Sequence, residues 1–372
     1  MKLLIDNSNL FAGGGIQVAI SFLNDLNSLN LENEYFIIQS DKIKDKIDKN
    51  AFSSNFHFID LDNINLFSKR RIVKNIENTV SPDVIFTVFG PSYHKSNFPK
   101  VVGFAIPHII YSNSPFFKML NLLELFKIKL LSQIKAKMFL KNSDGLIFET
   151  NDAKKIFIKK YKPKKKCFEV NNTLNEVFLD NKKWEKVNFN DNGEFKIALV
   201  TANYPHKNLQ LLPNIIKVLK EVYKWNNFKF IITVRKEELN FDDEINNYIE
   251  FLGPLRIEQI PELYNKINLV FAPTLLEVFS TTYLEAMFMK KPLVVSDMTF
   301  ARDICGDSAI FCAPLNAQEY ANAIFSVYKN NGLVDNLIKN GVKNLSRFGS
   351  SKDRTKKYLN ILNMFSKRNQ LN

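Results

Sequence analysis

INLVFAPTLLEVFSTTYLEAMFMKKPLVVSDMTFARDICGDSAIFCAPLN (267–316) alternates short apolar runs with a helical segment. INLVFAP reads as a buried strand ending at Pro273, a short loop carries Glu277, and a helix that starts near Ser280 includes Glu285. PLVVS (292–296) and AIFC (309–312) read as two further strands. Short β-rich runs separated by helices are the pattern of parallel sheets covered by helices on both faces.

The same alternation extends outward to both ends of the chain. KLLID (2–6), YFIIQ (35–39), VIFTVF (84–89), VVGFA (101–105) and LIFE (146–149) precede FKIALV (195–200) and FKFIITV (228–234). The fold class is therefore α/β, and 372 residues suit two domains, each with its own core. The polar, Asn-rich NKKWEKVNFNDNGEF (181–195) lacks either periodicity and reads as an exposed linker. The expected domains are thus 1–180 and 195–350, joined by a linker at 181–194. A basic segment of helical spacing follows at 351–372. Both halves read as strand, loop, helix, so each is expected to be Rossmann-like and doubly wound. In such sheets ligands bind at the carboxyl ends of the strands, which puts the expected site in a cleft between the two.

Bulk properties exclude several function classes. Asp6 interrupts the N-terminus before any signal-peptide core, and no apolar run approaches the roughly 18 residues of a membrane span, so a cytosolic location is expected. Cys167, Cys305 and Cys312 are odd in number and scattered, which suggests neither a disulfide framework nor a zinc site. The four histidines show no metal-ligand spacing, so no built-in metal is expected. A formal charge of +13 attracts anions in general. No nucleic-acid-binding signature accompanies it, and nucleic acid is not an expected partner.

Three segments carry chemistry. In the first, Glu277 and Glu285 are separated by seven residues, and FSTT between them offers the amides of Phe279, Ser280 and Thr281 at a helix N-terminus. Unpaired N–H groups and the helix dipole make such a place a natural phosphate seat. The plain alternative is a helix cap followed by a solvated glutamate. In the second, FKIALVTANYPHKNLQLLPNIIKVLKEV (195–222), His206 and Lys207 precede an amphipathic helix with apolar residues at Leu209, Leu212, Ile215, Ile216 and Leu219. A lysine at a helix start opposes the dipole, which hints at a bound anion that offsets the cost. In the third, DNSNLFAGGGIQVAISFLNDL (6–26), Gly14 and Gly15 follow the first strand, where backbone could approach a ligand. Asp60-Leu61-Asp62 is a DxD of the kind that holds a divalent metal in another transferase fold, without the rest of that fold's context.

These segments together resemble the GT-B glycosyltransferases, specifically the retaining enzymes of glycosyltransferase family 4. The resemblance is densest from about 195 to 325, in PHKNL, FLGPLRIEQIPELYNKINLVFAPTLLEVF, LEAM, KPLVVSD and GDSAIFCAPLNAQEYANAI, which occur in the family's order and spacing. The resemblance implies two Rossmann-like domains facing across a cleft, with the 351–372 helix crossing back to the first. It implies Lys207 on the donor phosphate, Glu277 near the donor sugar hydroxyls, Glu285 on the nucleotide ribose, and the amides of Phe279 to Thr281 on the diphosphate. The arginine that many members carry shortly before the lysine is absent from TANYP (201–205), so Arg235 or His206 would have to compensate. His108, in FAIPHIIYSNSPFF (104–117), stands where the family commonly has a cleft histidine near the donor sugar, and His94 is a second candidate. No cofactor is implied beyond the nucleotide sugar as co-substrate. Transfer to a glycan or lipid-linked glycan acceptor in bacterial cell-surface polysaccharide assembly is the implied role.

Two other classes share the architecture or the site: a nonhydrolysing sugar-nucleotide epimerase and a noncatalytic nucleotide-sugar-binding module. One more segment, SPFFKMLNLLELFKIKLLSQIKAKMFLKN (114–142), sets Lys118, Lys127, Lys129, Lys135, Lys137 and Lys141 against the single acid Glu124, and KKYKPKKK follows at 159–166. It reads either as a helix resting on an anionic membrane or as a core helix whose lysines line its wet face.

Overall fold

The computed structural model describes residues 1–11, 13–61, 66–190 and 192–366. The chain divides into two compact units. Unit 1 comprises Met1–Ile110, Leu123–Asn172 and the segment from Ser350; unit 2 comprises Tyr111–Leu122 and Thr173–Gly349. The chain therefore passes between units at 172/173, ahead of the expected linker, and residues 111–122 belong with the C-terminal unit. The described residues of the stretch expected to be exposed are mostly exposed or half-buried, and the stretch is tied to unit 2 at a few points. The Glu185 amide donates to the Glu258 carbonyl (2.8 Å), Lys266 Nζ donates to the Val187 carbonyl (2.7 Å), and Val187 is buried.

Unit 1 holds seven parallel strands: β1 (Lys2–Asn7), β2 (Glu34–Gln39), β3 (Phe56–Asp60), β4 (Val84–Thr87), β5 (Lys100–Phe104), β6 (Gly145–Phe148) and β7 (Lys166–Glu169). Their order is β3-β2-β1-β4-β5-β6-β7. Unit 2 holds β8 (Phe195–Leu199), β9 (Phe228–Ile232), β10 (Ile249–Phe251), β11 (Leu269–Ala272), β12 (Leu293–Ser296) and β13 (Ala309–Cys312), ordered β10-β9-β8-β11-β12-β13. Each sheet starts in its middle, winds outward one way, and then restarts beside its first strand. Each thus has one switch point, β1/β4 in unit 1 and β8/β11 in unit 2, where the flanking loops diverge and leave room for a ligand.

The cores follow from which strands are covered on both faces. In unit 1, Leu3, Ile5, Phe86 and Val101 pack with Phe22 and Leu26 of the Gly14–Leu29 helix. The Ser351–Phe365 helix joins the same core. Tyr358 packs edge-on against Phe22 (5.5 Å, 88°) and lies 5.1 Å from Phe86. Its buried polar face is anchored as well: the Ser351 and Thr355 hydroxyls donate to the buried Asp25 carboxylate (3.0 and 2.9 Å), and Arg354 donates to Asn172 (2.6 Å) and Ser21 (2.8 Å). A carboxylate buried without such donors would cost several kcal/mol. In unit 2, Ile197, Leu199, Phe230, Ile232 and Leu269 pack against Leu212, Ile215, Ile216 and Leu219 of the Leu212–Glu221 helix.

Candidate active site

The site of unit 2 lies at the β8/β11 switch point. Lys207 follows β8 and Glu277 follows β11, and the structure brings them together: Lys207 Nζ donates to Glu277 Oε1 at 2.5 Å, both side chains being mostly buried. Lys207 is not at the start of the α-helix. It lies in a 3-10 turn, Pro205–Lys207, five residues ahead of Leu212. Its charge is therefore answered by Glu277, not set against the helix dipole, which removes that argument for a bound anion. The turn is pinned to the Glu277 loop, since the Leu275 amide donates to the His206 carbonyl (2.8 Å). Asn208 then takes the left-handed conformation (φ 59°) and donates its side-chain amide to the Pro314 carbonyl (2.9 Å).

Glu277 has more acceptor capacity than the lysine uses. Its Oε2 is buried and has no hydrogen-bond partner among the described residues, and the same holds for the Tyr283 hydroxyl. Burial first, and then the Glu277 charge, push the Tyr283 phenol well up from its ordinary value. An unpaired carboxylate oxygen in a dry position accepts strongly from any ligand hydroxyl that reaches it.

The Thr281–Phe288 helix begins where the sequence places it, with Ser280 in the cap position. The Ser280 hydroxyl does not fold onto the first amides. The Tyr283 amide reaches the Ser280 carbonyl (3.4 Å), whereas those of Thr281 and Thr282 precede the first intrahelical bond and can serve as donors. Lys207, Thr201, Pro273, Ser280 and Thr282 line one recess there. Its enclosed part is about 10 Å³, the room of a single water, so the site floor is a contact surface and not a closed cavity. Phe279 turns its ring edge toward Phe348 (5.8 Å, 80°).

Glu285 is 6% exposed. The Tyr264 hydroxyl donates to it at 3.0 Å and Thr281, one turn back, bonds to it as well. Burial raises its carboxyl to about 7 against these two hydrogen bonds, which act in the opposite direction. The carboxyl is thus poised to titrate at neutral pH. The solvated-glutamate alternative does not describe it.

The two residues considered as substitutes for the missing arginine differ in character. His206 lies parallel to the Tyr204 ring (5.5 Å, 7°) and edge-on to Phe116 (6.1 Å, 86°). Burial, helped by the neighbouring Lys207 charge, lowers its imidazole to about 4, so at pH 7 it is a neutral donor or acceptor and not a cation. Arg235 is exposed just beyond β9, one strand removed from the switch point. Lys207 is the cation at the β8/β11 junction itself.

The segment 111–122 supports this loop and was not legible as part of the site. The Ser114 hydroxyl donates to the Leu275 carbonyl at 2.6 Å, and Tyr111 packs on Phe300 (5.7 Å). No local pattern reports a contact across 161 positions.

The remaining candidates lie in unit 1. His108 is in the short Pro107–Ile110 helix beyond β5, with Nδ1 2.7 Å from Ser132 Oγ. Ser132 gives its proton to the Ile128 carbonyl (2.6 Å), so it accepts from His108 Nδ1–H and leaves Nε2 as the unprotonated nitrogen. Burial, with the charge of Lys135, holds this imidazole at about 4. Gly14 and Gly15 form the first turn of the Gly14–Leu29 helix at the β1/β4 switch point, capped by Gly13 at φ 73°. A Cβ at Gly14 would meet nothing within 4 Å, whereas one at Gly15 would touch Phe89 (3.2 Å) and Leu10 (3.3 Å). His94 belongs to a buried ion cluster. Its Nε2 lies 2.9 Å from Glu77 Oε2, and Lys100 Nζ pairs with Glu77 Oε1 at 2.8 Å. That engagement suits a structural role. Asp60 of the DxD is held by Lys49 (2.7 Å) and Lys44 (3.6 Å), and Asp62 lies outside the described residues.

Comparison with known proteins bears on the domain that carries these residues and on the fold of the chain. The family model described as glycosyl transferases group 1 matches residues 195–330. The O-antigen chain mannosyltransferase RfbU of Salmonella typhimurium is 24% identical over 134 residues, which span 34% of this chain and 37% of that relative. A glycosyltransferase from Rickettsia africae superposes with a TM-score of 0.73 at 17% identity, covering 98% of both chains. Alr3699/HepE of Anabaena, solved in complex with UDP-glucose, superposes with a TM-score of 0.70 at 15% identity over 98% of this chain and 100% of that one. Both superpositions span 98% of this chain and so take in its two parallel sheets, ordered 3-2-1-4-5-6-7 in unit 1 and 3-2-1-4-5-6 in unit 2. Residues 195–330 thus match the glycosyl transferases group 1 family, and the chain that carries them has the fold of these glycosyltransferase structures, GT-B.

Proposed function

We propose that the chain is a retaining glycosyltransferase of family 4 that moves a hexosyl or related sugar from a nucleotide sugar to a glycan or lipid-linked glycan. The carrying observation is the meeting of Lys207 and Glu277 at the β8/β11 switch point, beside uncapped helix amides. In this reading Lys207 exchanges Glu277 for the donor diphosphate, joined by the amides of Phe279 to Thr281. Glu277, released from the lysine, accepts from donor sugar hydroxyls, and Glu285 accepts from the ribose. The bond from the anomeric carbon to the diphosphate breaks with its electron pair going to the phosphate. The acceptor oxygen attacks on the face the phosphate leaves, and the phosphate takes the acceptor's proton. Fixed donors aimed at the developing phosphate charge suffice for such electrostatic work without a metal. His108 Nε2, unprotonated, serves as an acceptor for a sugar hydroxyl.

The similarity of the domain to an O-antigen mannosyltransferase supports assembly of a bacterial cell-surface polysaccharide as the setting. A cytosolic enzyme working at the inner face of the cell membrane fits a lipid-linked acceptor.

Thermal-shift screening against UDP-, GDP-, ADP-, CMP- and dTDP-sugars tests the donor claim. A ligand at a hundred times its Kd stabilises the folded state by about 2.7 kcal/mol. One nucleotide class should stabilise the wild type and fail with Lys207→Ala. If no nucleotide sugar shifts the wild type, the donor site is misread. Conversion of donor alone into an epimer would favour an epimerase instead. The anomeric configuration of the transferred sugar, read by NMR, tests retention.

A further inference from the structure

The Leu122–Lys141 helix, which from Leu123 on belongs to unit 1, is apolar on two opposite faces. Its inward face carries the buried Ser132, Ala136 and Phe139. At 100° per residue, Leu123, Phe126, Leu130 and Ile134 fall on the opposite side. They are 74%, 66%, 47% and 41% exposed. Leu131 adds to this patch from its flank. Burying one side satisfies a core helix; a second large apolar stripe left in water marks an interaction surface. The lysines do not merely line a wet face. Lys127 flanks the stripe and Lys137 and Lys141 continue its line beyond Ile134, all exposed.

The charge of this face selects its occupant. The helix has five lysines and a single acid, Glu124. Its C-terminal end continues into a basic loop: Lys165 Nζ donates to the Phe139 carbonyl (3.3 Å), and Lys162 and Lys164 line one recess with Leu140. A second copy of the chain would bring lysine against lysine and repel. An anionic bilayer accepts both parts, the Leu and Phe side chains entering the acyl boundary while the lysine stems reach back to the phosphates.

We propose that this helix and the adjoining 162–164 loop form a docking surface for an anionic lipid bilayer, with Leu123, Phe126, Leu130 and Ile134 inserted and Lys127, Lys137, Lys141, Lys162 and Lys164 on the headgroups. The inference deepens the reading above only in saying where an acceptor would be met; the surface does not depend on the donor chemistry. The test is co-sedimentation of the full chain with phosphatidylcholine vesicles, and with vesicles that also contain phosphatidylglycerol, at low and high salt. Wild type should sediment with the phosphatidylglycerol vesicles at low salt and largely stay in solution with phosphatidylcholine alone. Phe126→Glu with Leu130→Glu, and separately Lys137→Glu with Lys141→Glu, should each weaken partitioning about tenfold or more. Both pairs replace exposed side chains, and thermal melts with and without nucleotide sugar should match wild type. An unchanged melt together with lost sedimentation separates this surface from the donor site. The proposal is overturned if wild type ignores phosphatidylglycerol vesicles, if either variant binds like wild type, or if wild type is a dimer that Phe126→Glu dissociates.

Discussion

Tyr264→Phe removes one oxygen and leaves the ring in place, which isolates what that hydroxyl does for Glu285. Tyr264 is fully buried and donates to the Glu285 carboxylate at 3.0 Å. A hydrogen bond to a charged group contributes about 1.5–3 kcal/mol, and one pKa unit corresponds to about 1.4 kcal/mol, so its loss should raise the Glu285 carboxyl by about one to two units from its value of about 7. In the proposed reading the ribose hydroxyls donate to the carboxylate form. Donor affinity in wild type should therefore rise as pH increases through about 7. In Tyr264→Phe the same rise should be centred at about 8 to 9. Glu285→Gln should bind weakly at every pH, with no rise. Stability runs the other way. The native carboxyl holds its proton more tightly than the unfolded one, so native stability is highest below an ordinary 4.5 and declines as pH rises to about 7. Over that window wild type should lose up to about 3 kcal/mol relative to Glu285→Gln. Calorimetric titration of the stabilising nucleotide sugar at a series of pH values, with urea unfolding in the same buffers, measures both. A wild-type affinity flat between pH 6 and 8, or a midpoint unmoved in Tyr264→Phe, would refute the assignment of Glu285 as a titrating ribose ligand.

Lys207→Ala and Glu277→Ala should each destabilise the apo protein through the charge left behind, and the double variant should melt above the sum of the single losses. A coupling of about 1 kcal/mol or more in a double-mutant cycle by thermal melting is expected for a mostly buried pair, and additive losses would mean the pair is solvated. Gly145→Ala places a Cβ 2.6 Å from the tip of the Phe365 ring and should cost about 1–3 kcal/mol, largely recovered by Phe365→Leu. Gly103→Ala meets the Val88 carbonyl oxygen at 1.9 Å, a backbone atom that no second substitution removes, and should prevent accumulation of folded protein in expression trials. His108 stays neutral down to about 4 in the native state while the unfolded ring takes its proton near 6.5. Its contribution to stability is present above 6.5 and fades as pH falls toward 4, and His108→Gln should flatten that part of the urea-unfolding pH profile.

Ten of the thirteen strands stand out in the sequence, and the three that do not are β3, β7 and β10. Each is a sheet edge. An edge strand is covered less completely, and their burial is correspondingly broken, as in FHFID (56–60) and KCFE (166–169), so no continuous apolar run marks them. The site divides in the same way. The places of Lys207, Glu277 and the Ser280 cap were legible because loop positions after buried strands show in local pattern, and that of Glu285 because the helix that follows shows there too. Tyr264, Tyr283 and Ser114 were not, since a tyrosine in a helix or a serine in a loop carries no local mark of the partner it will meet.

The order of buried strands along the chain, the α/β class, the position of Lys207 and Glu277 in loops after strands and that of Glu285 in the following helix were determined by the sequence itself. Burial on two faces demands a run of apolar residues, and a run is a local feature. Charge state and pairing were decided only by the tertiary structure. Lys207 meets Glu277 across 70 positions, Glu285 is raised to about 7 by the burial around it, and the Leu122–Lys141 helix buries one apolar face and leaves the other in water. Each of these depends on what distant segments bring to the same place, and the free energy of a charge or an apolar face is set by those surroundings.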